Sequence, residues 1–146
     1  VPGPDFPTGG IIIGSESDIE TMRHCVDKLK EFGIVSKMSV ASAHRNPEKV
    51  TKLIKQCEEQ GYKVIIAAAG MSAALPGVVA SQTNLPVIGV PMKSDLMGID
   101  SLLSIVQMPK GVPVACMSVG KHGAINAALY AKRILDLMDF DPPYGS

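Results

Sequence analysis

The sequence contains no tryptophan, and only 4% of its 146 residues are aromatic. Proteins that bind single-stranded nucleic acid stack bases on aromatic side chains, so this composition gives that class little support. The 14 basic and 14 acidic residues balance to a formal net charge of zero, which argues against the broad basic surface of nucleic-acid and membrane-surface binders. We therefore expect neither nucleic acid nor membrane as a partner.

The sequence is also poor in the features that mark secreted and membrane proteins. Its three cysteines, Cys25, Cys57 and Cys116, are widely spaced and include no CxxC pair, which argues against a disulfide framework or a zinc cluster. No apolar run approaches the roughly 20 residues of a membrane span, and no secretory pattern stands at the N-terminus. These absences favour a reducing, cytoplasmic location.

Several well-known site motifs are missing. The sequence has no GxGxxG of dinucleotide-binding folds, no GxxxxGK[ST] phosphate loop and no GxSxG hydrolase turn. Its three histidines lack HExxH or any other close ligand spacing, so we predict no metal site.

Short apolar, β-branched runs alternate along the chain with segments of helical apolar spacing. Strands are predicted over 11–13, 35–41, 63–68, 86–90 and 113–119. The intervening segments are predicted as helices from 17 to a stop at 33, over 47–60, over 73–82, in an apolar stretch at 99–106, and over 124–138. Strict alternation implies a parallel sheet with helices on both faces. We predict an α/β fold, a three-layer flavodoxin-like or Rossmann-like domain with a central parallel five-stranded sheet.

The length is that of one globular domain. We assign that domain to residues 11–138. Residues 1–10 hold three prolines and three glycines and are predicted to be a flexible lead-in. Residues 139–146 are predicted to be a flexible tail.

Ligands of open parallel sheets bind beyond the carboxyl ends of the strands, so the residues that follow each strand are the candidates. Ser15, Ser17 and Asp18 follow the first strand at a helix start, where backbone N–H groups and the helix dipole attract an anion. Ordinary helix capping by either serine is the alternative.

The turn after the second strand reads Ser42, Ala43, His44, Arg45. Histidine can move a proton near neutral pH, and arginine can grip phosphate oxygens through two donors. A capped helix start with exposed polar residues is the alternative, but the position at the ligand-binding edge favours a functional pair.

Small residues dominate the turn after the third strand, where they would let a flat ligand lie against the backbone. Close helix–sheet packing is the alternative. The candidates in this turn are Gly70, Met71, Ser72, Ala73, Ala74 and Leu75. Lys93, Lys121 and His122 follow the later strands and are interpreted as solvated rim residues.

Four motifs occur in order: Gly14-Ser15-x-Ser17-Asp18, Ser42-Ala43-His44-Arg45-x-Pro47, LPVIGVP at 85–91 and DSLLSIVQMPxGVPVA at 100–115. In these motifs the chain resembles PurE, the aminoimidazole ribonucleotide carboxylase family of purine biosynthesis, over about residues 11–135. The resemblance implies a flavodoxin-like enzyme, usually an octamer, that acts on an imidazole ribonucleotide without metal or organic cofactor.

By the same resemblance, His44 is the general acid/base at ring carbon C4. Ser15 and Arg45 hold the 5′-phosphate, and Asp18 holds the ribose hydroxyls. Ser17, Ser42 and Ala43 line the same turns. Residues 70–75 flank the ring and the transferred carboxylate.

The chain departs from the bacterial-type pattern GGAAHLPG, since it reads GMSAALPG at 70–77 and has Ala74 in place of a histidine. The main expectation is a mutase, an isomerase that moves a carboxylate from N5 to C4. Direct carboxylation of C4 by CO₂, a lyase-type activity, is the alternative. Two other hypotheses are carboxylation of a pyridinium cofactor precursor and a non-catalytic phosphate-binding or assembly module.

Overall fold

The computed structural model describes residues 9–71 and 73–138. A five-stranded parallel sheet has the strand order β2-β1-β3-β4-β5, which is the flavodoxin-like order. The strands are β1 (Gly9–Ile13), β2 (Ser36–Val40), β3 (Val64–Ala69), β4 (Val87–Pro91) and β5 (Ala115–Cys116). The predicted α/β class and parallel five-stranded sheet are confirmed.

Within the described ranges, five helices connect or follow these strands. They are α1 (Ile19–Glu31), α2 (Pro47–Glu59), α3 (Leu75–Ser81), α4 (Ile99–Val106) and α5 (Lys121–Met138), and a short 3-10 turn, Glu16–Asp18, precedes α1. Side chains of β1 alternate between the two faces of the sheet. Ile11 and Ile13 pack with α1 and α5, whereas Ile12 packs with α2, α3 and α4. The sheet is therefore covered on both faces, as parallel sheets require.

The first strand begins two residues earlier than the sequence pattern predicts. Gly9 and Gly10, assigned from sequence to the lead-in, pair with both β2 and β3. Glycine is needed at position 10 for packing, because a Cβ there would lie 2.8 Å from Cys57 Sγ and 3.0 Å from the Tyr62 ring. The rest of the predicted lead-in, 1–8, and the predicted tail, 139–146, fall outside the described residues.

Other boundaries differ from the predicted ones as well, and most of these differences are of one or two residues. The fifth strand is only Ala115–Cys116, because its ladder to β4 extends only over Ile88 and Gly89. Helix α5 begins at Lys121 rather than at 124. Helix α3 begins at Leu75 rather than at 73, because a tight turn that includes an Ala73 N–H to Met71 carbonyl hydrogen bond of 2.8 Å precedes it.

Candidate active site

The turns after β1, β2, β3 and β4 open onto one cleft of about 720 Å³. This volume is in the range of roughly 300 to 1,000 Å³ that small-molecule sites occupy. The cleft collects every described candidate from the first three turns: Ser15, Ser17, Asp18, Ser42, Ala43, His44, Arg45, Gly70, Met71, Ala73, Ala74 and Leu75. Ser72, the remaining candidate, lies outside the described residues. Sheet topology thus brings three separate sequence motifs together.

The turn after β1 is held by Ser15. The Ser15 hydroxyl oxygen accepts a hydrogen bond from the Ser17 N–H at 3.3 Å and another from the Ser17 hydroxyl at 3.0 Å. Ser15 therefore caps the 3-10 turn Glu16–Asp18, as the alternative interpretation of this serine predicts. A hydroxyl that accepts two bonds still has its own O–H to donate, so Ser15 can cap the turn and bind an anion in the cleft at once.

Asp18 is a buried carboxylate in the wall of the cleft, and only 9% of it is exposed. Burial raises the pKa of Asp18, and a backbone hydrogen bond from Ser15 offsets part of this rise. A partly desolvated carboxylate is a strong acceptor for hydroxyl groups. Asp18 is therefore suited to bind the hydroxyls of a ligand rather than its anionic group.

Asp18→Asn is expected to raise the melting temperature at pH 7. Because the native pKa is above the unfolded value of 3.8, ionisation costs stability as the pH rises through 3.8 and this cost stays constant above the native pKa. The difference between variant and parent should therefore vanish below pH 3.8. Thermal unfolding at both pH values checks this.

Glu16→Gln is the matched control, since Glu16 is an exposed acid of the same turn; it should change the melting temperature less. A lower melting temperature of Asp18→Asn at pH 7 would contradict the prediction. It would mean that the backbone hydrogen bond from Ser15 outweighs the cost of burial.

The turn after β2 presents His44 and Arg45. The Ser42 hydroxyl accepts from the Arg45 N–H at 3.1 Å, and the Ser42 carbonyl accepts from the Asn46 N–H at 2.9 Å. Asn46 in turn caps α2 by accepting from the Lys49 N–H at 3.3 Å. The side chains of Ser42 and Asn46 therefore supply the capping bonds at this helix start. His44 and Arg45 are exposed residues that line the cleft, which favours the functional interpretation over capping.

The turn after β3 contributes mostly small residues to the cleft wall. Met71 has a left-handed φ of +54°, an uncommon conformation for a residue with a side chain. Leu75 is buried in the same core cluster as residues of α2 and β3. The alternative of close packing therefore holds for Leu75, while Gly70 and Ala74, both only partly buried, face the cleft.

Sequence reasoning missed part of the cleft wall. Met92, Lys93, Ser94 and Asp95 also line it, whereas the sequence predicts a solvated rim position for Lys93 and does not single out the other three. The available signal was their position directly after β4. The Ser94 hydroxyl bonds to the Asp100 carboxylate, which ties this loop to α4. Lys121 and His122 are exposed and are not part of the cleft wall.

Within 9–71 and 73–138, no three His, Cys, Asp or Glu side chains are grouped as metal ligands would be. In the same ranges, no helix has the length and apolar character needed to span a membrane.

Comparison with known proteins gives concordant matches. Residues 9–141 match the family model for AIR carboxylase. The chain is 54% identical over 136 residues to the N5-carboxyaminoimidazole ribonucleotide mutase of Bacillus subtilis, covering 92% of this chain and 84% of the relative. It is 56% identical over 133 residues to the Saccharolobus solfataricus protein of the same name, covering 90% and 83%. A crystal structure of Treponema denticola PurE superposes with a TM-score of 0.81 at 33% identity, covering 90% of this chain and 81% of that one.

Proposed function

Because the chain belongs to the AIR carboxylase family, we propose that it moves the carboxylate of N5-carboxyaminoimidazole ribonucleotide from N5 to C4. The product, 4-carboxy-5-aminoimidazole ribonucleotide, is an intermediate of purine biosynthesis. The observation that carries the proposal is one cleft that joins an imidazole, a guanidinium, a hydroxyl and a buried carboxylate: His44, Arg45, Ser15 and Asp18.

The chemistry needs little from the protein. C4 of an aminoimidazole is an enamine-like nucleophile, so neither a strong protein nucleophile nor a metal is required. The bond between N5 and the carboxylate carbon breaks, CO₂ leaves and N5 gains a proton. C4 then attacks CO₂, and the proton on C4 is lost. The protein has to orient the ring, retain CO₂ and move one proton.

Each of these tasks has a candidate residue. His44 exchanges the proton as general acid/base. Arg45 and Ser15 bind the 5′-phosphate by charge-assisted hydrogen bonds, and Asp18 accepts from the ribose hydroxyls. Ser17, Ser42 and Ala43 shape these two turns. Residues 70–75 flank the ring and the migrating carboxylate, and the small residues Gly70, Ala73 and Ala74 let a flat ring approach the backbone.

The source of the carboxylate is the point on which the alternatives differ. The relatives from B. subtilis and S. solfataricus are both named as mutases, which favours transfer from N5 over direct use of CO₂. Direct carboxylation is the alternative because Ala74 stands where the bacterial-type pattern has a histidine. The grouping of Ser15, Asp18 and Arg45 favours a ribonucleotide over a pyridinium cofactor precursor.

An assay of the two possible substrates tests the proposal. The N5-carboxylated ribonucleotide is supplied without bicarbonate, or aminoimidazole ribonucleotide is supplied with it, and the C4-carboxylated product is followed by absorbance. We expect turnover in the first reaction. Turnover only in the second would establish a direct carboxylase, and ligand binding without turnover in either would establish a non-catalytic module.

We also propose that the protein forms a homo-oligomer, and that this homo-oligomer is an octamer. Support comes from α4, which leaves Ile99 57%, Leu103 51% and Val106 52% exposed. These residues are spaced by four and three positions, so they form one apolar stripe along the helix. Contiguous exposed apolar surface marks interaction sites, and zero net charge offers no long-range repulsion between copies.

Leu103→Glu is expected to break the assembly into smaller species, because a carboxylate would be buried without a partner in the interface. Light scattering after size-exclusion chromatography measures the mass. Gln56→Glu, at an exposed position of α2, adds the same charge elsewhere and should leave the mass unchanged. A monomeric parent protein would contradict the oligomer, and an intact Leu103→Glu assembly would contradict the place of α4 in it.

We place the enzyme in a reducing compartment, the cytoplasm. All three cysteines are free, and burial raises the pKa of Cys25 to about 12 and that of Cys57 to about 11. Such thiols stay protonated and unreactive, which fits core packing rather than redox chemistry.

A further inference from the structure

Ser101 is the most unusual residue of α4. It is 0% exposed, although apolar residues of the same helix face solvent. Its hydroxyl has no hydrogen-bond partner among residues 9–71 and 73–138. Buried hydroxyl groups are nearly always paired with protein or ordered water, so an unpaired one needs a physical explanation.

The explanation lies in the neighbouring wall of the cleft. A Cβ placed on Gly70 would lie 4.0 Å from Ser101 Oγ, 4.0 Å from the Met92 carbonyl oxygen and 3.4 Å from Met92 Cβ. Gly70 is not among the residues with positive φ, so its backbone does not require glycine. The missing side chain instead leaves a notch between the cleft and Ser101, and we call this space the Gly70 notch.

We propose that the Gly70 notch binds one ordered water that Ser101 positions for the reaction. The water accepts a hydrogen bond from the Ser101 hydroxyl and donates one to the Met92 carbonyl. Its second O–H then faces the cleft, where it donates to the carboxylate in transit. This role rests on the proposed function, since it assigns a hydrogen-bond donor to the migrating carboxylate.

The polar atoms around the notch favour water over a substrate oxygen. A carboxylate oxygen could accept from Ser101, but the Met92 carbonyl is also an acceptor and would repel it. Water both accepts and donates, and three partners are typical of a buried water. Water can therefore satisfy both groups and still offer one donor to the ligand.

Two variants test the role of the notch. Ser101→Ala removes the hydroxyl, and Gly70→Ala fills the notch with a methyl group that meets Met92 at ordinary contact distance. Each is expected to lower kcat about three- to tenfold, the worth of one hydrogen bond, with a smaller effect on KM because the contact is to the reacting group. The double variant should lose no more than the larger single loss, because both changes remove the same water.

Matched controls separate this effect from general damage. Ser81→Ala removes the hydroxyl of another helical serine, which donates to the Val78 carbonyl at 2.7 Å and is not in the cleft wall. Among the residues that the structure describes, the methyl group of Gly9→Ala meets Val64 Cγ1 alone, at 3.7 Å. Both are expected to keep parental kcat.

A high-resolution crystal structure of the parent protein provides the second measurement. We expect a water in the notch within hydrogen-bond distance of Ser101 Oγ and Met92 O. The proposal is overturned if Ser101 bonds instead to a protein carbonyl, or if Ser101→Ala raises the melting temperature and leaves kcat unchanged, as deletion of an orphaned hydroxyl would. Absence of parental turnover would overturn the proposed function, while the crystal structure would still decide whether the water is bound.

Discussion

His44→Asn is expected to lower kcat by a factor of about 10² to 10⁴, the usual contribution of general acid/base catalysis. Asparagine is similar in size and polarity to histidine but cannot exchange a proton near neutral pH. His44 is exposed and belongs to neither hydrophobic cluster, so its replacement should leave the fold and the melting temperature close to those of the parent. The loss should therefore appear in turnover rather than in stability.

Steady-state kinetics with the N5-carboxylated substrate measures this loss. His122→Asn is the control, since His122 is an exposed histidine that does not line the cleft; it should keep parental kcat. A kcat of His44→Asn within threefold of the parent would reject the assignment of His44 as acid/base, whatever the binding constant.

The second large effect is expected from Arg45→Gln, which should raise KM about 10- to 100-fold and change kcat much less. Charge-assisted hydrogen bonds are worth roughly 1.5 to 3 kcal/mol, and the phosphate is remote from the reacting carbon. Its contacts are therefore the same in ground state and transition state, and their loss weakens binding uniformly.

Two comparisons sharpen the Arg45 prediction. Arg45→Lys should recover part of the affinity, because an ammonium keeps the charge but loses the bidentate geometry. Arg23→Gln, at an exposed position of α1, removes the same charge away from the cleft and should leave KM unchanged. If Arg45→Gln lowered kcat with KM unchanged, Arg45 would act on the reacting centre and not on the phosphate.

The sequence was sufficient to predict the sheet, because the first four strands and their helices have local apolar patterns. It was not sufficient where contacts between residues far apart in the sequence determine the ends of a strand. Gly10 has the local character of a turn residue, yet it extends β1 because Cys57 and Tyr62 pack against it. The segment 113–119 has the composition of a strand, but only Ala115–Cys116 pairs with β4.

That the candidate residues would lie at one edge of the sheet was predictable from strand order alone. In a parallel sheet, a residue's place after a strand is enough to assign it to the ligand-binding edge, and this rule found Ser15, His44 and Arg45. The rule extends to the residues directly after β4, which also line the cleft. It does not show the hydrogen bond from Ser94 to Asp100 that ties this loop to α4. It also gave no sign of Ser101, whose burial depends on how α4 packs on the sheet.

The strand order has a consequence for how the chain folds while the ribosome is still synthesising it. β1 lies between β2 and β3, so during translation it can pair on one side with β2 as soon as residue 40 has left the ribosome. Its other edge stays open until β3, which ends at Ala69, follows about 30 residues later. At the synthesis rates of roughly 5 to 20 residues per second, the nascent chain exposes this apolar edge for some seconds, an interval in which a chaperone could shield it.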